Sequence, residues 1–120
     1  MKQDNFLIIK NIKNVIINID YIITLFPNRE KVLRDNIKKT LYNLLEYCYE
    51  FNALPVKLYF KERNILEYKC LSKLSLLDFY IEEAYIQGYI SENNTKKITK
   101  ELISIYNKIK ELIKNEESNY

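Results

Sequence analysis

The groups in this chain that could do chemistry are its acids, two thiols and two clusters of cations; it has no histidine. Without an imidazole there is no Cys–His nucleophile, no His-based metal site and no His general base. A catalytic carboxylate pair needs two acids converging in a concave, partly dry site. Glu82 and Glu83 are neighbours on a helix, so they point about 100° apart. Glu116 and Glu117 fall in a polar C-terminal stretch, and both pairs are expected as solvated surface acids. Glu62, Glu67 and Asp78 lack the histidine that a diiron Glu-x-x-His arrangement demands. A single glycine cannot build a phosphate-cradling loop. Cys48 and Cys70 form no Cys-x-x-Cys pair and sit at apolar helical positions, which predicts small buried hydrophobes in a reducing compartment. No enzyme, metal or cofactor is expected.

What remains is electrostatic. Lys96, Lys100, Lys110 and Lys114 share one broad face of the last helix and could meet backbone phosphates, with an affinity that falls steeply in salt. Arg29, Lys31, Arg34, Lys38 and Lys39 form a second cluster at the start of helix two. The bland alternative for each is a solvated face. A net charge of +3 and a pI near 8.7 permit an anionic partner without demanding one. Eleven tyrosines could stack on exposed bases. Most of them, Tyr85 and Tyr106 included, read better as core-margin residues with the ring buried and the hydroxyl wet.

The elements that position these groups are helices. The chain has 120 residues with one Gly and two Pro, which suits one domain and excludes a turn-rich sandwich or barrel. Ile8, Ile12, Val15, Ile19, Ile22 and Phe26 alternate steps of four and three, so helix one is expected over 5–25, capped by Asp4. Phe26-Pro27-Asn28 is the first stop, with Asn28 as the next cap. Helix two, 29–52, has a core stripe of Leu33, Ile37, Leu41, Leu44, Cys48 and Phe51. Helix three, 56–87, comes after Pro55 and ends where Gly88 can turn left-handed. Ser91 caps helix four, 91–114, whose stripe is Ile98, Leu102, Ile105, Ile109 and Leu112. The polar tail 115–120 is expected to fray. Short connections between four helices predict an all-α, up-down-up-down antiparallel bundle. No apolar run approaches the ~18 to 20 residues needed to cross a bilayer. The start Met1-Lys2-Gln3-Asp4-Asn5 lacks a signal-peptide pattern, which makes the cytoplasm the expected location.

Helix three has one stripe too many. Leu66, Cys70, Leu74, Leu77, Ile81 and Ala84 follow one helix face. Leu58, Ile65, Leu76 and Phe79 lie on a second face, with Tyr68 and Ile86 on its margin. A bundle core uses one of these, and a second copy of the chain is the economical cover for the other. An oligomer interface is therefore expected at Leu58, Ile65, Tyr68, Leu76 and Phe79.

The arrangement Phe26-Pro27-Asn28-Arg29, then Leu44-Leu45-Glu46, then Ala84 with Gly88-Tyr89-Ile90-Ser91, then Leu102 and Ile105 resembles a known family. It is similar to the accessory variability determinant (Avd) proteins of diversity-generating retroelements. These are small bacterial four-helix-bundle proteins related to the one encoded by 23S rRNA intervening sequences. The likeness runs from about Asn14 to Leu112. It implies a bundle assembled as a ring-shaped homopentamer that binds the element's reverse transcriptase and its template RNA. Such a protein supports mutagenic reverse transcription without being an enzyme. The chain departs from the family at Asp78 and Glu82, where arginines are common. It also departs at Asn107 and Lys110-Glu111-Leu112, where the family has an Arg and then a Gly-Gly-Trp-like turn. A structural or interaction bundle of the intervening-sequence type, with no nucleic-acid role, is the alternative.

Overall fold

A computed structural model describes residues 3–119, with side-chain surroundings from residue 6 onward. The described residues form four helices and no strand: α1 Gln3–Ile23, α2 Lys31–Ala53, α3 Val56–Ile86 and α4 Glu92–Asn119. Contacts run α1 to α2, α2 to α3, α3 to α4 and α4 back to α1. Among the described residues no close backbone approach joins α1 with α3 or α2 with α4, so the helices stand at the corners of a square and those two pairs lie on its diagonals. The molecule measures 47 × 23 × 19 Å, and the 31 residues of α3 reach along its whole length.

The heptad stripes become the core. Ile8, Ile12, Val15, Ile19, Ile22 and Phe26 are buried from α1 and the turn after it, facing Ile37, Leu41, Leu44, Cys48 and Phe51 of α2. Leu33 is only half-buried at the rim. Helix geometry holds through the β-branched Val15–Ile19 stretch because its apolar residues repeat at 3.6 and not at 2.

The ends differ in detail from the expectation. α1 begins ahead of Asp4, so that residue is not its cap, and the helix stops at Ile23. Thr24, Leu25 and Phe26 then donate to carbonyls three residues back, a tightened turn ahead of Pro27. α2 starts at Lys31 with Glu30 in the cap position and no side-chain cap bond, so Asn28 does not cap it and Arg29 lies in the turn. Ser91 does cap α4, accepting from the Asn94 amide at 3.1 Å. Gly88 takes φ +82°, which a side chain would disfavour. Its amide reaches Tyr85 O at 2.9 Å and the Tyr89 amide reaches Ala84 O at 2.8 Å, closing the last carbonyls of α3.

Two larger departures concern α3 and the C-terminal stretch. α3 is not one straight rod: Tyr59, at φ −131° and ψ 38°, puts a kink after its first turn and sets Leu58 apart from the residues beyond. The C-terminal stretch expected to fray is helical through Asn119, and Tyr120 lies outside the described residues.

Candidate functional site

The outer face of α3 stands out as expected. Ile65 is 58% exposed, Phe79 57% and Ile86 71%, with Tyr68 about half exposed between them. Leu58 is exposed as well, but before the kink. Leu76 is half-buried, so it forms the base of the stripe and not its crest. The inner face holds Cys70, Leu71, Leu74, Leu77, Ile81 and Ala84. Leu66, expected in that inner stripe, is only half-buried, and the fully buried place goes to Glu67.

A second exposed apolar set, not picked out from the sequence, lies on α1. Phe6, Ile17 and Tyr21 are each more than half exposed and share one side of the helix. Their signal was present, since Ile17 and Tyr21 fall four apart and off the core heptad. α1 and α3 are diagonal partners, so the two apolar faces look away from one another across the bundle.

The basic residues divide into two separate places. Lys96, Lys100, Lys110 and Lys114 are exposed along α4. Lys96 pairs with Glu92 at 3.2 Å, an exposed contact that contributes a few tenths of a kcal/mol. Two open grooves flank this helix. Between α1 and α4, a groove of about 630 Å³ is lined by Asn14, Asn18, Lys97, Lys100, Glu101 and Lys108, with Asn18 donating to Glu101 at 3.2 Å. Lys97 and Lys108 were missed because they sit at the edge of the lysine face, turned toward α1. Between α3 and α4, a groove of about 510 Å³ brings Lys110 and Lys114 beside Tyr68. One of the expected interface residues thus borders two of the expected cations.

The other cluster is elsewhere. Lys31, Lys38 and Lys39 are exposed on α2, Arg29 is exposed in the preceding turn, and half-buried Arg34 donates to Asn28 O at 3.5 Å. Because α2 and α4 are diagonal in the bundle, with no close backbone approach, these residues lie away from the α4 lysines.

At the end of the bundle where α2 passes into α3, the acids overturn an expectation. Glu116 is not a solvated tail residue: it is 4% exposed, and Arg63 donates to its Oε1 from Nε at 3.1 Å and from Nη2 at 2.5 Å. Arg63 also donates to the carbonyls of Phe51, which already accepts the Leu54 amide, and, at 2.8 Å, Leu54, so it adds a side-chain cap to the end of α2. Its guanidinium lies 5.5 Å from the Phe51 ring centre. Glu67, 0% exposed, approaches Arg63 at 3.9 Å. Burial pushes the Glu67 carboxyl up to about 9, helped by its hydrogen bond and charge repulsion with Glu116 and opposed by Arg63. Among the described residues no donor reaches either oxygen of Glu67 or Glu116 Oε2, and a proton held by Glu67 toward Glu116 supplies one. The sequence signal was the register itself. Carrying the α4 stripe on from Leu112 by four gives Glu116, and carrying the α3 stripe back from Leu74 through Cys70 gives Glu67 and Arg63. All three side chains are at most 4% exposed.

Among the described residues no cluster of three or more metal-ligating side chains occurs, and no helix is long and apolar enough to cross a membrane. No family model matches this chain, and no curated protein matches it.

Proposed function

We propose that this protein is a non-catalytic helical scaffold that self-associates through the outer face of α3 and presents the lysine-flanked grooves of α4 to an anionic partner. The observation that carries this reading is the exposed row Ile65, Tyr68, Phe79 and Ile86, since large apolar side chains left along one outer face of a small bundle favour docking there. The neighbour-to-neighbour contacts and short connections fit an up-down-up-down path, which keeps that row on one outer corner. A second apolar set on the diagonally opposite helix favours head-to-tail association, in which α3 of one copy meets α1 of the next. Head-to-tail contacts close into rings when the rotation allows, in keeping with the homopentamer that the family resemblance implies.

The partners implied by the same resemblance are a reverse transcriptase and its template RNA, in the cytoplasm, with the protein as accessory subunit of a diversity-generating retroelement. Lys100, Lys110 and Lys114, exposed along α4, support an RNA contact, and repetition of the patch around a ring would strengthen the field. A second reading is a structural bundle of the intervening-sequence type without nucleic acid. Glu82 and Glu83 on α3, and Glu92 already paired with Lys96, favour it.

Sedimentation of the wild-type chain, of Phe79→Glu and of Ile17→Glu tests the assembly. The wild type is expected as an oligomer and each variant as a monomer, while an equal mixture of the two variants forms a dimer through the one intact pair of faces. A monomeric wild type removes the scaffold reading, and variants that stay apart on mixing remove the head-to-tail arrangement. A mobility-shift titration with structured RNA at two salt concentrations separates the partner readings. Binding that weakens with salt and is lost in the Lys96, Lys100, Lys110, Lys114→Gln variant supports RNA; no binding at low salt supports the structural bundle.

A further inference from the structure

The two cysteines are the only thiols in the chain, and the fold brings them together. Cys48 on α2 and Cys70 on α3 hold their sulfurs 3.5 Å apart, and both side chains are wholly buried. A disulfide needs about 2.05 Å, so closure asks each sulfur to move by less than 1 Å. The buried stripes of α2 and α3 otherwise carry larger side chains such as Leu44, Leu74 and Leu77, with Ala84 the small exception on α3.

We propose that Cys48 and Cys70 are an oxidisable dithiol that closes into an intrachain disulfide stapling α2 to α3, with a small-molecule disulfide such as oxidised glutathione as the oxidant. The exchange balances in two steps. One cysteine thiolate attacks a sulfur of the oxidant, forms a mixed disulfide and expels one small thiolate. The second cysteine thiolate then attacks the protein sulfur of that mixed disulfide, forms the Cys48–Cys70 bond and expels the other. The two cysteine protons end on the two released thiolates, and the oxidant is reduced by two electrons. The hydrogen bond to Cys48, together with burial, pushes the Cys70 thiol well above its ordinary range. Exchange therefore passes through a transient parting of α2 and α3, which makes the staple slow to form and slow to open. Once formed, it encloses the α2–α3 junction that Arg63 caps and ties the helix bearing the outer apolar face to its neighbour.

The test is equilibration of the full chain with mixtures of reduced and oxidised glutathione, once folded and once in urea, and then mass measurement of the open, mixed and closed forms. The effective concentration of one thiol toward the other is expected to be at least about tenfold higher in the folded chain, and the closed form to melt several degrees higher. A folded value equal to or below the unfolded one overturns the proposal. So does a product trapped as a mixed disulfide, or one that joins two chains. Cys48→Ser and Cys70→Ser should each accept one glutathione and show no change in melting between the two buffers.

Discussion

The two ends of the bundle are closed by opposite means. Where α1 turns into α2 and α3 into α4, Phe26 and Tyr89 pack with ring centres 5.5 Å apart, and the Tyr89 hydroxyl donates to Glu30 at 2.6 Å. That hydrogen bond raises the phenol above its ordinary range, and the polar atoms remain near water. At the other end Arg63, Glu67 and Glu116 are buried, and Arg63 must satisfy two backbone carbonyls and a carboxylate together. The aromatic end can lose a contact and let water replace it. The charged end cannot, because a buried ion without its partner keeps the full cost of desolvation. The contrast is one of consequence on failure.

Breaking the charged end should have the largest effect. Arg63→Met removes both donors to Glu116 Oε1 and the side-chain donor to the carbonyls of Phe51 and Leu54, and is expected to lower stability by about 3 to 5 kcal/mol, read as a shift in the urea midpoint. A loss near that of an exposed pair would mean that water reaches Glu116.

Next comes pH. Glu67 titrates near 9 when folded and near 4.5 when unfolded, so across that interval the folded chain holds the extra proton. Its stabilising contribution is complete below the lower value and is lost as pH rises through the upper one, at up to about 1.4 kcal/mol per pH unit. Urea midpoints should therefore decline between pH 6 and 9, and Glu67→Met should flatten the slope while keeping the fold. An unchanged slope in that variant would assign the decline to another group.

The aromatic end should respond more gently. Gly88→Ala forces a side chain into the left-handed region with no neighbour to clash against, at an expected cost of about 1 to 2 kcal/mol. Tyr89→Phe removes one hydrogen bond at a wet rim and should cost about 1 kcal/mol or less by the same measurement. A larger loss for Tyr89→Phe than for Arg63→Met would invert the comparison between the ends.

Much of the fold was legible along the chain. The heptads of α1 and α4, the stop at Pro27, the Ser91 cap and the Gly88 turn come from local periodicity and capping, which act within a few residues. The outer stripe of α3 was legible for the same reason, since a helix with two apolar faces has one left over after a single core is filled. The kink at Tyr59 left no mark that propensity could detect, because no Pro or Gly lies near enough within the helix.

The amino-acid sequence by itself determined that four helices form and which face of each is apolar. Tertiary structure alone decided that Arg63 meets Glu116, 53 residues away, that Cys48 meets Cys70, and that the two basic clusters lie on opposite corners of the bundle. Periodicity fixes the direction of a side chain about its own helix axis. Which side chain it then meets depends on the rotation and axial register of two packed helices, and that is set by the whole core at once.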